Sequence, residues 1–102
     1  MQPDIKLIMR HLMSQEPGAT GATVWIEKPL DNGLQIEARL MVGGKSKYVV
    51  VENDGEFFHY TESYRADTPW NRMTIQMNAK GSVQVKTSFD AELQTDAEEK
   101  TR

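Results

Sequence analysis

Two runs of alternating apolar and polar residues lie between Trp70 and Phe89, joined by a short segment that contains glycine. The apolar positions are Met73, Ile75, Met77 and Ala79 in the first run, then Val83 and Val85, with Phe89 as a candidate to continue that face. Alternation with a period of two is typical of a strand with one buried face. Two such runs around a short turn predict an antiparallel hairpin.

An amphipathic helix is predicted near the N-terminus. Its apolar residues follow the spacing i, i+3, i+4, i+7, i+8 and are Ile5, Ile8, Met9, Leu12 and Met13. Gln2 or Asp4 is expected to cap this helix, and Pro17-Gly18 to end it. A helix with one apolar face has to bury it, and the alternating runs that follow offer a sheet for that purpose.

Four further strands are expected between the helix and the final hairpin. The first is the β-prone run 23–28, followed by an Asn32-Gly33 turn and a strongly alternating strand over 34–42. A third strand is expected over 48–52, where three consecutive valines favour a central position covered on both faces. A turn at 53–55 and a fourth strand over 56–61 complete the set.

The predicted fold class is therefore α+β. We expect an N-terminal helix packed on one antiparallel sheet of about five to six hairpin-connected strands. Residues 1–89 would form a single domain. Residues 90–102 would form an acidic C-terminal tail, either a frayed short helix or disordered, because Leu93 is its only large apolar residue.

Composition narrows the function classes. The chain has 102 residues and no cysteine, which excludes disulfides, zinc–thiolate sites and thiol nucleophiles and favours a cytoplasmic protein. Fifteen acidic against twelve basic residues give a net charge of −3, which disfavours nucleic-acid binding. No apolar run approaches the roughly 20 residues that span a bilayer, and no secretory signal is recognisable, so no membrane association is expected.

Catalytic and metal-binding patterns are weak throughout the sequence. The two histidines, His11 and His59, are too few for a histidine metal cluster. A general-base role for His59 would need an orienting carboxylate or a nucleophile such as Asp54 or Ser63 nearby, and no spacing compels one. The carboxylates follow no calcium-loop pattern. We therefore expect no enzyme activity, no cofactor and no metal.

Acidic and aromatic residues concentrate between 54 and 70, and this region is the predicted partner-binding surface. Its members are Asp54, Glu56, Tyr60, Glu62, Tyr64, Asp67 and Trp70. Exposed Trp and Tyr commonly anchor protein interfaces. Phe58 and Trp70 are the first candidates for core positions, and Tyr64 for an exposed one. Whether Trp25 and Trp70 lie in the core or on the surface is left open.

The C-terminal hairpin also carries a family resemblance. The matching residues are Pro69, Trp70, Thr74, Ile75, Gly81, Val83, Val85, Phe89 and Asp90. This pattern resembles the end of YezG-like immunity (antitoxin) proteins of bacterial polymorphic toxin systems. Two features depart from that family: Ala91 stands where an aromatic residue is frequent, and the segment 61–68 is shorter than the usual acidic insert.

The resemblance implies a non-catalytic protein that binds and neutralises a cognate toxin. A basic toxin domain would suit an acidic, aromatic surface. Two alternatives stay open. One is a small-ligand-binding or enzymatic domain in which Arg39, Gln76 or His59 converge on a pocket of the sheet. The other is a structural homodimer that uses the valines 49–51 and Met41 as its interface.

Overall fold

A capping residue and the spacing of apolar residues explain the first helix. The computed structural model describes residues 4–28, 34–66 and 69–92. Helix α1 spans Ile5–Met13, and the Asp4 side chain caps it by accepting a hydrogen bond from the Lys6 backbone N–H at 2.9 Å. Ile8, Met9 and Leu12 are buried, as the apolar stripe predicts. The chain leaves the helix at Ser14 and enters the sheet within a few residues.

All five strands of the described residues form one antiparallel sheet. Their bounds are β1 Ala19–Glu27, β2 Gln35–Val42, β3 Lys45–Val49, β4 Arg72–Met77 and β5 Val83–Ser88. The spatial order is β3-β2-β1-β4-β5. The predicted α+β class is thus confirmed, with the N-terminal helix and an antiparallel sheet. The long strand β1 lies at the centre, since it pairs with both β2 and β4.

The alternation predicted for β2 and β4 is confirmed by burial. Ala38 and Leu40 of β2 and Met73, Ile75 and Met77 of β4 face the core. They form a single cluster with Val24 and Ile26 of β1 and with buried residues of both helices. The residues between them point to the opposite side of the sheet, which neither helix covers. The expectation for Phe89 is wrong: it is 54% exposed, and Thr87 holds the preceding half-buried position.

The predicted fourth strand over 56–61 is wrong, because the segment Asp54–Ser63 forms a second helix, α2. Its buried residues are Phe57, Tyr60 and Thr61, spaced i, i+3, i+4. Asp54 and Glu56 lie in the first turn, where acidic side chains interact favourably with the helix dipole. The aromatic residues raise the β propensity of the segment, but one face of a short helix explains their burial better.

The third strand is also placed differently from the prediction. Strand β3 spans Lys45–Val49 and pairs only with β2, so it is an edge strand rather than a central one. Val50 follows it and is 81% exposed, while Val49 and Val51 are half-buried. Three consecutive valines therefore do not indicate burial on two faces here, because only alternate members reach the core.

At its C-terminal end, the described chain stays joined to the domain. The Asn71 side-chain amide donates a hydrogen bond to the Asp90 carbonyl, and its oxygen accepts one from the Asp90 N–H. Ala91 and Glu92 are helical. The predicted tail otherwise falls on residues 93–102, which lie outside the described residues. The Asn32-Gly33 turn, within 29–33, lies outside them as well.

The β2–β3 turn offers a direct test of backbone geometry. Gly43 and Gly44 have φ values of +58° and +77°, the left-handed conformations that a two-residue hairpin loop of this type needs. Gly44→Ala should lower the free energy of unfolding by about 1–2 kcal/mol. Gly55→Ala in α2 should raise it by about 0.4–1 kcal/mol, since a Cβ there meets nothing within 4 Å. Urea denaturation measures the free energy of unfolding of both variants. An unchanged free energy of unfolding in Gly44→Ala would contradict the turn geometry.

Candidate functional site

The predicted partner-binding residues are distributed over α2 and the segment that follows it. Asp54 and Glu56 lie in the first turn of α2, and Tyr60 and Glu62 lie in its second half. Tyr64 caps the C-terminal end of the helix, and Trp70 precedes β4. Asp67 lies outside the described residues.

The aromatic members of this set pack against each other. The ring centroids of Tyr60 and Tyr64 are 5.8 Å apart, and the Trp70 ring meets that of Tyr64 edge-on at 6.1 Å. Tyr60 is buried, while Tyr64 and Trp70 are half-buried against the core. Burial, with a smaller contribution from Tyr64, raises the pKa of Tyr60 above its ordinary value of 10.0. The expectation that Tyr64 is exposed is therefore corrected: it is half-buried and packs between Tyr60 and Trp70.

The acidic members differ in their partners. The Glu56 carboxylate is hydrogen-bonded to the His11 imidazole of α1, and Glu62 forms an ion pair with the Lys28 ammonium at 3.0 Å. The Asp54 carboxylate is exposed and has no ion-pair or hydrogen-bond partner among the described residues. Glu56 thus faces α1, away from Glu62, and the structure does not gather all the predicted acids on one surface.

Phe58 lies on the exposed side of α2. It is 42% exposed, whereas its neighbour Phe57 is fully buried, so the expected core position of Phe58 is corrected. Residues spaced i, i+4, i+8 lie on one side of a helix. Asp54, Phe58 and Glu62 have this spacing and are all exposed. We call these three residues the α2 stripe. The spacing of these three residues indicates a shared face only when the segment 54–63 is taken as a helix.

The Lys28 side chain contacts the end of the α2 stripe. Its ammonium lies 5.7 Å from the centroid of the Phe58 ring while it pairs with Glu62. This is the one cation on the stripe itself among the residues that the structure describes. An exposed aromatic ring is thus flanked by two carboxylates, one of which is unpaired and one of which has a single lysine partner.

A second exposed surface is the side of the sheet opposite the helices. Cross-strand neighbours put Trp25 beside Glu37 and Thr74, and place Thr23 between Arg39 and Gln76. Trp25 is 37% exposed, Met41 41% and Tyr48 57%. We call this surface the outer sheet face, with Trp25, Arg39, Met41, Tyr48 and Gln76 as its defining residues. It answers the question left open for Trp25, which lies on the surface.

Two shallow depressions of the outer sheet face lie on either side of Trp25. One of about 510 Å³ is lined by Trp25, Arg39, Met41 and Gln76 among others, and one of about 570 Å³ by Trp25, Arg39, Glu37 and Arg72 among others. Arg39 and Gln76 thus line the same depression, as the ligand-binding alternative expects. His59 does not join them, because α2 packs on the other side of the sheet.

The described residues offer no metal site and no catalytic pairing of His59 with serine. Within residues 4–28, 34–66 and 69–92, no group of three or more His, Asp or Glu side chains is placed to hold a metal ion. The Ser63 hydroxyl donates to the backbone carbonyl of His59 at 3.1 Å rather than to its imidazole. In the same part of the chain, the helices are too short to cross a membrane.

Comparison with known proteins adds no family. No protein-family model and no curated protein sequence matches this chain.

Proposed function

We propose that this chain is a non-catalytic protein-binding module that neutralises a basic protein partner, in the manner of the YezG-like immunity proteins that its C-terminal hairpin resembles. The proposal places its action in the cytoplasm, where a toxin domain of that kind would meet it. The observation that carries the proposal is the exposed Phe58 ring between the Asp54 and Glu62 carboxylates.

Phe58 has the properties of an interface anchor. A phenylalanine that is 42% exposed leaves apolar area in water, and burying that area against a partner is favourable. Aromatic residues near the centre of an interface carry a large share of the binding free energy when polar neighbours surround them. Asp54 and Glu62, one turn away on either side, supply those polar neighbours.

The charges of the α2 stripe favour a basic partner. Asp54 has no cation beside it among the described residues, and the Lys28–Glu62 pair has an exposed carboxylate that an incoming arginine could share. Opposite charges across an interface mainly accelerate association, and added salt screens them. Binding should therefore weaken as ionic strength rises.

We expect Phe58→Ala to weaken binding of the captured partner about tenfold or more, because the anchor is removed. The free energy of unfolding should fall by no more than about 1 kcal/mol, which corresponds to about 4–8 °C in melting temperature, because the side chain is already 42% exposed. Tagged protein would be used to isolate the partner, and titration calorimetry with the purified partner would give the dissociation constants of the variants.

Phe89→Ala is the matched control, because Phe89 is 54% exposed and lies at the end of β5, outside the α2 stripe. It should leave the dissociation constant unchanged. Asp54→Lys should slow association at low salt more than at high salt. Equal binding by the Phe58 and Phe89 variants would refute the α2 stripe as the interface.

A homodimer is the second candidate, favoured by the edge position of β3. Tyr48 and Val50 are exposed there, and β3 leaves one side of its backbone unpaired among the described strands. Two lysines, Lys45 and Lys47, lie on this short strand and oppose edge-to-edge pairing. Light-scattering mass determination of the purified chain distinguishes the two: a monomer mass across a range of concentrations excludes the homodimer.

A further inference from the structure

Arg39 on the outer sheet face is a charged side chain whose surroundings leave it incompletely satisfied. Its guanidinium carbon lies 3.8 Å from the centroid of the Tyr48 ring, so the planar group is stacked and held in place. Its Nε atom is shielded from solvent and has no hydrogen-bond acceptor. No carboxylate among the described residues forms an ion pair with it. The shielded Nε is closed to a ligand as well, so a ligand would be bound by the terminal Nη groups, which have no acceptor among the described residues.

A carboxylate is the acceptor that such a group fits best. A guanidinium presents its donors in a fixed planar fork, which matches the two oxygens of a carboxylate. Stacking on Tyr48 removes the rotamer freedom that Arg39 would otherwise lose when a ligand binds. Arg39 lines both depressions and Tyr48 only the 570 Å³ one, so the stacked guanidinium is held at the boundary between them before any ligand arrives.

The charge distribution selects one of the two depressions. In the 510 Å³ depression, Arg39 is the only ionisable side chain among the described lining residues. The 570 Å³ depression also contains Glu27, Glu37 and Arg72, and Arg72 already pairs with Asp90 at 3.2 Å. An anion is favoured in the first depression, where no carboxylate repels it.

The remaining lining of the first depression suits an apolar body. Trp25 and Met41 expose apolar area there, and the hydroxyls of Thr23 and Ser46 and the amide of Gln76 supply polar contacts. A volume of about 510 Å³ lies in the range of small-molecule sites.

We propose that the outer sheet face binds a small organic carboxylate with an aromatic or apolar body. The carboxylate accepts hydrogen bonds from the Arg39 guanidinium, and the body lies against Trp25 and Met41. This site is distinct from the α2 stripe, because the sheet separates the two surfaces. It does not depend on the proposed protein partner.

The test uses N-acetyl-phenylalanine as the probe and N-acetyl-phenylalaninamide as its neutral counterpart. Two-dimensional NMR of the full chain reports the indole N–H of Trp25, with that of Trp70 as the internal reference. We expect the acid to shift the Trp25 signal, with saturation at an acid concentration of about 10 mM, the range of weak fragment binding. The Trp70 signal should not move. The amide should bind about tenfold more weakly or worse.

Arg39→Gln should weaken binding of the acid by about tenfold or more, and Lys86→Gln should not. Lys86 is the matched control, since it lies on the same sheet face, beside Thr74, and outside the depression. If Arg39→Gln does not fold, Arg39→Lys replaces it. This variant keeps the positive charge but loses the planar fork of donors, and it should weaken binding several-fold. The proposal is overturned if Trp25 does not respond, if acid and amide bind equally, or if the Arg39 variants that fold bind like the wild type.

Discussion

Replacing Phe57 with alanine is expected to lower the free energy of unfolding by about 3–5 kcal/mol. Phe57 is 0% exposed and is among the largest fully buried side chains of the described residues. It belongs to the same core cluster as Met9 and Leu12 of α1 and Val24 of β1, so its removal leaves a cavity between the helices and the sheet. The loss is a large fraction of the total stability of a domain this size.

Phe58→Ala supplies the comparison, because it removes the same atoms from the adjacent position. Its side chain is 42% exposed, and we expect a loss of no more than about 1 kcal/mol. Urea unfolding followed by tryptophan fluorescence measures both, and equal m values would show that the extent of unfolding is unchanged. Similar losses for the two variants would mean that α2 presents a different side to the sheet.

The second large effect is expected at Asn71, where alanine should lower the free energy of unfolding by about 2–3 kcal/mol. Asn71 is 1% exposed. Its amide donates to the Asp90 carbonyl and its oxygen accepts from the Asp90 N–H, both at 2.8 Å. Both hydrogen bonds are lost in the variant, and each involves a partly buried backbone group of Asp90.

Asn78→Ala is the control for Asn71, since the Asn78 side chain also makes two hydrogen bonds to the backbone, both accepted by its oxygen. The donors are Lys80 at 2.9 Å and Ser82 at 3.0 Å, but this turn is exposed, so water can replace the lost oxygen. We expect a loss of about 0.5–1 kcal/mol there. Hydrogen exchange gives a second readout: the Asp90 amide should lose protection in Asn71→Ala only. Unchanged protection of Asp90 would contradict the assigned pairing.

Some elements of the fold could be predicted from the sequence, and others could not. The stripe of α1 and the alternation of β2 and β4 were readable, because each pattern repeats often enough to exclude the other period. The segment 54–63 is only ten residues long and rich in aromatics, so a strand and a helix explained it equally well. Nothing in the sequence marked Asn71 as the residue that binds the Asp90 backbone.

The candidate surfaces, too, were predicted from the sequence only in part. The acidic and aromatic character of the region around α2 was visible in the sequence, but the exposed ring in it proved to be Phe58 rather than Tyr64. Arg39 was named as a pocket residue in the ligand-binding alternative. Its stacking on Tyr48 depends on the pairing of β2 with β3, which brings the two residues opposite each other.

By itself, the sequence determined the helix α1, the apolar faces of β2 and β4 and the antiparallel α+β class. These follow from the periods of 3.6 and 2, which backbone geometry imposes within a few residues. Only the tertiary structure decided that β3 lies at an edge, that Phe57 rather than Phe58 is buried, and that Arg39 stacks on Tyr48. Each of these depends on contacts between elements distant in the chain, and local periodicity carries no information about which elements meet.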